Sequence, residues 1–122
     1  MANPSTTGGT GAGTEVLRRA YFNSLSNTDQ KIIDGVANHI YTILSVIFCE
    51  RVGSTSEVLN MFVDIDDGGT DIHLMAEQAI PAYGTFVWDN KFIITATDAL
   101  NVAASTAATV DCYITYIDQE FA

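Results

Sequence analysis

The chain has 122 residues, 48% hydrophobic and 16% charged, and this composition predicts one folded domain around one core. Its 15 acidic and 5 basic side chains give a net charge of −10. That charge argues against binding to nucleic-acid phosphate or to an anionic membrane, because either partner requires a basic patch. The first residues lack a signal-peptide pattern, and no apolar run reaches the roughly 20 residues of a membrane span. We therefore expect a soluble protein made in a cytoplasm.

Residues 1–14 are rich in Gly, Ser, Thr and Pro and show no hydrophobic periodicity. Such a composition predicts a flexible arm. The arm either stays disordered or becomes ordered by lying on a neighbouring molecule. We expect residues 15–122 to form a single β-sandwich domain.

Residues 15–36 are compatible with strand or helix. Tyr21 and Phe22 favour a strand over residues 15–25, and turn residues follow at 26–29. Thr28 is a possible helix N-cap. Residues 31–36 form a short apolar piece that Gly35 weakens as either element.

Residues 39–52, HIYTILSVIFCERV, are the longest nearly uninterrupted apolar run and organise the chain. As a strand, the run would be largely apolar on both faces, because successive side chains alternate. One face would carry Ile40, Thr42, Leu44, Val46 and Phe48, and the other Tyr41, Ile43, Ser45, Ile47 and Cys49. We predict a central strand covered by the opposite sheet on one side and by something else, such as another subunit, on the other. A helix is the competing interpretation, and the β-branched residues disfavour it.

Residues 58–66 alternate clearly and predict a half-buried strand, with an apolar face of Leu59, Met61, Val63 and Ile65. A turn is expected at 53–56 before this strand, and residues 67–69, Asp-Gly-Gly, predict a hairpin after it. On the returning strand we expect Ile72, Leu74 and Ala76 to point inward, and His73 and Met75 to point outward.

Pro81 should end that strand, because proline cannot donate to the ladder. Further short strands are expected at 85–88, 92–94, 100–104 and 109–118, with a tight turn at Asp89-Asn90. In the last strand Val110, Cys112, Ile114 and Tyr116 would share one face. Seven to nine short strands without a long helix predict an all-β fold, an antiparallel β-sandwich or jelly roll.

No stretch carries a recognisable reaction centre, and we predict no catalytic, cofactor-binding or metal-binding residues. Residues 64–71 are acidic, but the EF-hand spacing places Gly68 and Met75 at ligand positions, so a solvated turn is preferred to an atypical calcium site. The two histidines, His39 and His73, stand at no metal-ligand spacing. Absence of motifs lowers the case for an enzyme, although distant residues could still assemble a site.

Two cysteines and an aromatic group leave alternatives open. Cys49 and Cys112 lie in predicted strands, where a disulfide is possible and two buried free thiols are preferred. The aromatic group, Tyr83, Phe86, Trp88 and Phe92, predicts core or subunit interface in preference to a sugar-binding platform.

Three stretches resemble small β-sandwich proteins in the virions of tailed bacteriophages. They are IYTILSV at 40–46; AIP at 79–81 followed by TFVW at 85–88 and FII at 92–94; and DALNV at 98–102 followed by AST and VDCYI at 110–114. The resemblance spans residues 38–118. It implies a non-enzymatic, usually oligomeric component of the capsid decoration, neck or fibre type, and it implies no catalytic residues.

We therefore expect a capsid decoration or cement protein in the virion, which binds the major capsid protein or other virion proteins and copies of itself. The symmetry of capsid lattice points suggests a trimer. The alternatives are a neck or tail-fibre component, a carbohydrate-recognition β-sandwich with Tyr83, Trp88 and Phe92 exposed, and lastly a small jelly-roll enzyme.

Overall fold

A computed structural model describes residues 14–53 and 56–120, and its regular elements are nine β-strands and one three-residue 3-10 turn. The strands are β1 (Thr14–Phe22), β2 (Gln30–Asp34), β3 (His39–Glu50), β4 (Glu57–Asp64), β5 (Asp71–Ile80), β6 (Thr85–Trp88), β7 (Phe92–Thr95), β8 (Ala99–Ala104) and β9 (Val110–Glu120). The 3-10 turn, Ile65–Asp67, ends the fourth strand earlier than predicted. Within residues 15–36 the regular elements are strands, at 15–22 and 30–34, and Thr28 begins no helix. Apart from Thr14, the predicted arm lies outside the described residues, as do positions 54 and 55 of the predicted turn.

Two antiparallel sheets pack face to face, which confirms the predicted all-β sandwich. One sheet has the order β1-β9-β3-β6, with β7 also paired to β3, and the other has the order β2-β8-β4-β5. β6 and β7 pair with the same side of β3, where Trp88 lies opposite Val46 and Phe92 opposite Ile43. β6 and β7 therefore form one interrupted edge strand. The prediction of a tight turn at Asp89-Asn90 is wrong, because the chain continues in the same direction through these residues. Counted in this way, the fold is an eight-stranded jelly roll.

The central strand is confirmed, but its predicted faces are wrong. A β-bulge lies between Ile43 and Ser45 in the ladder with β9. The extra residue shifts the alternation by one position. Tyr41 and Ile43 consequently share the buried face with Val46 and Phe48, while Ile47 points outward.

The returning strand β5 also departs from simple alternation. Its register with β4 shifts twice, between Leu59 and Met61 and between Met61 and Phe62. These irregularities turn Met75 into the core and leave Ile72 half exposed. The predictions that Ile72 points inward and Met75 outward are therefore wrong. Pro81 follows the last residue of β5, as predicted.

Side chains from both sheets form one core between the layers. Its fully buried members include Phe48, Leu25, Ile43, Leu59, Met61, Ile80, Ile94, Leu100, Ile114 and Val46. The shared face predicted for Val110, Cys112 and Ile114 on β9 is confirmed, and it points into the core. The core occupies the whole interior between the sheets, so any binding surface must lie on the outside.

A buried carboxylate holds one end of the sandwich together. Glu50 ends β3, and its Oε1 accepts hydrogen bonds from the amides of Val52 (2.9 Å), Gly53 (2.8 Å) and Tyr83 (3.3 Å). The Gly53 amide contributes most to lowering the pKa of Glu50, burial opposes that change, and the amides of Tyr83 and Val52 add to it. Gly53 adopts a positive φ of 76°, and a Cβ there would collide with the Tyr83 ring. The carboxylate thus joins two loops to the central strand.

We expect Glu50→Gln to lower the melting temperature by several degrees at neutral pH. Because the folded-state pKa of Glu50 is lowered, its contribution is fully present above the ordinary glutamate pKa and is lost as the pH falls through the folded value. The difference between wild type and variant should therefore shrink in acid. Thermal melts from pH 7 to pH 3 measure it, with the exposed Glu77→Gln as control. An equal difference at every pH would contradict this assignment.

Candidate interaction surface

The outward side of the five-stranded sheet, called here the outer face, carries rows of apolar side chains. The pairing register aligns Tyr21, Tyr113, Ile47 and Val87 across β1, β9, β3 and β6. A second row runs through Leu17, Ile117, Thr42 and Ile93. These residues alternate with the core residues along each strand, so the outer face follows directly from the period of two.

Several of these side chains are open to solvent in the single chain. Leu17 is 64% exposed, Ile93 59%, Tyr21 58% and Val87 50%. Two exposed apolar rows on one sheet face, separated by the polar row of Arg19, Thr115 and Ser45, indicate a protein–protein interaction surface. The sequence predicts the second apolar side of β3. The outward positions of Leu17, Val87 and Ile93 were not predicted, although the alternation of their own strands could have identified them.

Charge is scarce on the outer face although the chain carries ten net negative charges. Among the described strand residues that point outward, only Glu15, Arg19 and Asp111 are charged. The Asp111 carboxylate already pairs with Arg51, whose Nε lies 3.0 Å from Oδ1. Depletion of charge is what distinguishes the centre of an interface from the rest of a protein surface.

An open groove of about 280 Å³ crosses one end of the outer face. The rings of Tyr21 and Tyr113 are stacked along it, with centroids 6.4 Å apart and planes inclined by 12°. The Arg19 guanidinium lies 5.4 Å from the Tyr21 ring centre, within the range of a cation–π contact. Ile47 and Cys49 line the opposite side. The groove offers aromatic and aliphatic contact.

The two cysteines point to opposite sides of the sheet. Cys112 lies opposite Phe48 in the ladder and faces the core, whereas Cys49 faces the groove. Both are free. Burial raises the pKa of Cys112 to about 12, so this thiol is unreactive. The prediction of two free thiols is confirmed, but only Cys112 is fully buried.

The predicted aromatic group divides in two. Phe86, Trp88 and Phe92 pack against the core cluster, and the Trp88 and Phe92 rings meet edge to face at 6.3 Å. Tyr83 is 73% exposed and stands apart from them. The preferred interpretation as core is confirmed for the first three residues, and the platform of Tyr83, Trp88 and Phe92 is not formed.

His39, one of the two histidines, joins an ion-pair cluster at the edge of the core. Its Nδ1 lies 2.6 Å from Asp118 Oδ1, and Arg18 Nε donates to Asp118 Oδ2 at 3.0 Å. His73 packs its ring 5.1 Å from that of Phe62. Both imidazoles thus have structural contacts.

The acidic hairpin uses its carboxylates within its own turn and in an ion pair with the strand β2. Asp64 Oδ1 accepts a hydrogen bond from the Gly68 amide at 2.9 Å, and Asp67 pairs with Lys31 at 2.7 Å. Across the described residues, no group of three or more His, Cys, Asp and Glu side chains is arranged to hold a metal ion. The same residues include no helix with the length and hydrophobicity needed to cross a membrane.

No family model matches this chain, and no curated protein matches its sequence. Similar folds are nevertheless found among solved structures. A chain in the acid-stable capsid of Helicobacter pylori bacteriophage KHP30 has a TM-score of 0.50 and 12% identity, over 88% of this chain and 89% of that chain. A chain in the Bacillus endospore appendages, a family of disulfide-linked pili, has a TM-score of 0.50 and 17% identity, over 93% and 95%.

A pentameric capsid protein from metagenomic phage sequences has a TM-score of 0.44 and 14% identity, over 84% of this chain. The present chain spans only 61% of the length of that protein. At these identities the likenesses concern the fold. The KHP30 capsid chain confirms the expected similarity to phage virion proteins at the level of a capsid-type β fold. The decoration, neck or fibre type remains a prediction.

Proposed function

We propose that this protein is a non-enzymatic capsid decoration, or cement, protein of a bacteriophage virion. It binds neighbouring capsid subunits and other copies of itself. The observation that carries the proposal is the outer face, which has two rows of exposed apolar side chains and few charges on a chain whose net charge is −10. Single exposed apolar residues are common on monomers, but the grouping of Leu17, Val87 and Ile93 with other apolar side chains on one sheet face indicates an interaction surface.

The fold comparisons support a role in assembly. The two solved structures with a TM-score of 0.50 are the capsid of phage KHP30 and the Bacillus endospore pili. The coverage of 88% and 89% makes the KHP30 chain similar in length to this one. A jelly roll of this size accordingly has a counterpart in the structure of a capsid.

The mechanism is adhesion over an apolar area. Docking of the outer face would remove its aliphatic and aromatic side chains from water, at about 25 cal/mol per Å² of apolar area. The net negative charge limits association with the wrong partners and favours a capsid surface of opposite sign. Residues 1–14 would add contacts by ordering on an adjacent subunit, and they must bury enough surface to offset about 1–2 kcal/mol per residue of lost backbone entropy. A trimer at capsid lattice points remains part of the proposal.

The test is binding to capsids assembled from the major capsid protein of the phage that carries this gene. We expect the wild-type protein to co-sediment with such capsids and to raise the temperature at which they break down. Ile93→Asp places a charge on the outer face and should abolish binding. The matched control is Ile72→Asp, since Ile72 is a similarly exposed isoleucine (49%) on the other sheet. Failure of the wild type to bind, or equal binding by the two variants, would overturn the proposal.

A further inference from the structure

Strand β1 is an unprotected sheet edge. All nine of its residues pair with β9 without a register shift. The other edges are blunted: β2 has five residues and a register shift, β5 has two shifts, and β6 and β7 form an interrupted edge. Long, regular edges offer a row of unpaired backbone groups, and proteins normally bulge, shorten or cover them. Within the described residues no strand covers the free side of β1, so this edge can accept another strand.

The sequence of β1 is complementary to itself in one antiparallel register. Residues 15–19 read Glu-Val-Leu-Arg-Arg, and a two-fold axis at Leu17 places Glu15 of one copy opposite Arg19 of the other. The two Leu17 side chains then face each other between the two ion pairs. Opposite charges and apolar pairs directly across a ladder are stabilising. All three side chains belong to the outer face, so the two ion pairs and the Leu17 contact form on the same surface of the joined sheet.

Competing registers lack this match. An axis at Arg18 would oppose two Arg18 residues, and an axis at Arg19 would oppose two Arg19 residues, which is destabilising. An axis between two residues would turn the outer face of one copy toward the core side of the other. Arg18 is also already engaged with Asp118, whereas Arg19 contacts only the Tyr21 ring among the described residues. The register centred on Leu17 is therefore the one that the charges select.

We propose that β1 pairs antiparallel with β1 of a second copy, with Leu17 on the two-fold axis. The pairing joins two five-stranded sheets into one ten-stranded sheet with a continuous outer face. Leu17, the most exposed apolar residue of that face, becomes buried at the junction. This inference refines the self-association in the proposed function and rests on that part of it, whereas capsid binding is tested separately on Ile93 at the opposite edge.

A charge exchange tests the ion pairs. In sedimentation velocity of the full chain we expect a dimer, or a hexamer in which this contact pairs two of the proposed trimers. Arg19→Glu should weaken the association about tenfold, because symmetry turns both pairs repulsive at once. The double variant Glu15→Arg/Arg19→Glu should restore it. Lys91→Glu, with the same change in net charge, should sediment as wild type. Circular dichroism and thermal melts establish that each variant is folded.

A disulfide tests the register. In a Cys49→Ser background, Leu17→Cys places two thiols opposite each other on the axis and should give a covalent dimer under mild oxidation. Tyr21→Cys, on the same face of the same strand, would lie about 27 Å from its symmetry mate, at about 3.4 Å per residue, and should not cross-link. Cross-linking of both variants or of neither, or failure of the double charge variant to restore association, would overturn the pairing. A chain that binds capsids but fails these tests retains the proposed function without this contact.

Discussion

Replacing Phe48 by alanine is expected to lower the free energy of unfolding by about 3–5 kcal/mol, the range for phenylalanine in protein cores. Phe48 is the largest fully buried residue among the described residues. It lies on the central strand β3, between β9 and β6, so the cavity left by the ring cannot collapse onto a mobile loop. Natural domains have only about 5–15 kcal/mol of stability, so this single change should remove much of it. Urea unfolding followed by circular dichroism measures the loss.

The neighbouring Ile47→Ala is the control. Ile47 points to the outer face and is 37% exposed, so its truncation should cost about 1 kcal/mol or less. The two residues are adjacent in sequence, and both are large and apolar. They differ in that their side chains point to opposite faces of the strand. Equal losses in the two variants would mean that β3 does not alternate as described after its bulge.

Much of the architecture follows from the period of two, which identifies β3, β4 and β9 as strands directly from the sequence. The errors arise where one extra residue enters a ladder. In β3 the irregularity between Ile43 and Ser45 reverses the faces of half the strand, and in β5 similar shifts bury Met75 and expose Ile72. No residue type marks these positions, because a bulge is stabilised by tertiary pairing with the adjacent strand and is not encoded by a local propensity.

The candidate site was predictable in part for the same reason. The second apolar side of β3 was evident, since it needs only alternation within one strand. Its extension through Leu17 and Ile93 was not, because it depends on which strands become neighbours. The burial of Glu50 was also not predicted. Its partners are the backbone amides of residues 52, 53 and 83, and nearly every residue has such an amide, so no residue type indicates the contact.

Removal of the Asp118 carboxylate in Asp118→Ala is expected to cost about 2 kcal/mol, since hydrogen bonds to charged groups contribute about 1.5–3 kcal/mol. Its two oxygens bond to His39 at 2.6 Å and to Arg18 at 3.0 Å, and its side chain is only 10% exposed. The variant leaves both partners without their acceptor at the margin of the core. Chemical denaturation at pH 7 measures the difference from wild type.

Asp111→Ala is the matched comparison, because Asp111 lies on the same strand and also pairs with an arginine at 3.0 Å. In this pair, however, Arg51 and Asp111 are 42% and 40% exposed. Water and salt screen the Arg51–Asp111 pair, and Asp111 Oδ1 also accepts the Ser24 amide at 2.8 Å. The loss of both should cost about 1 kcal/mol, with the part due to the ion pair decreasing in 1 M salt. The Asp118 effect should persist in salt because its carboxylate is shielded from solvent. Equal costs for the two variants, or equal sensitivity to salt, would mean that burial does not distinguish the two ion pairs.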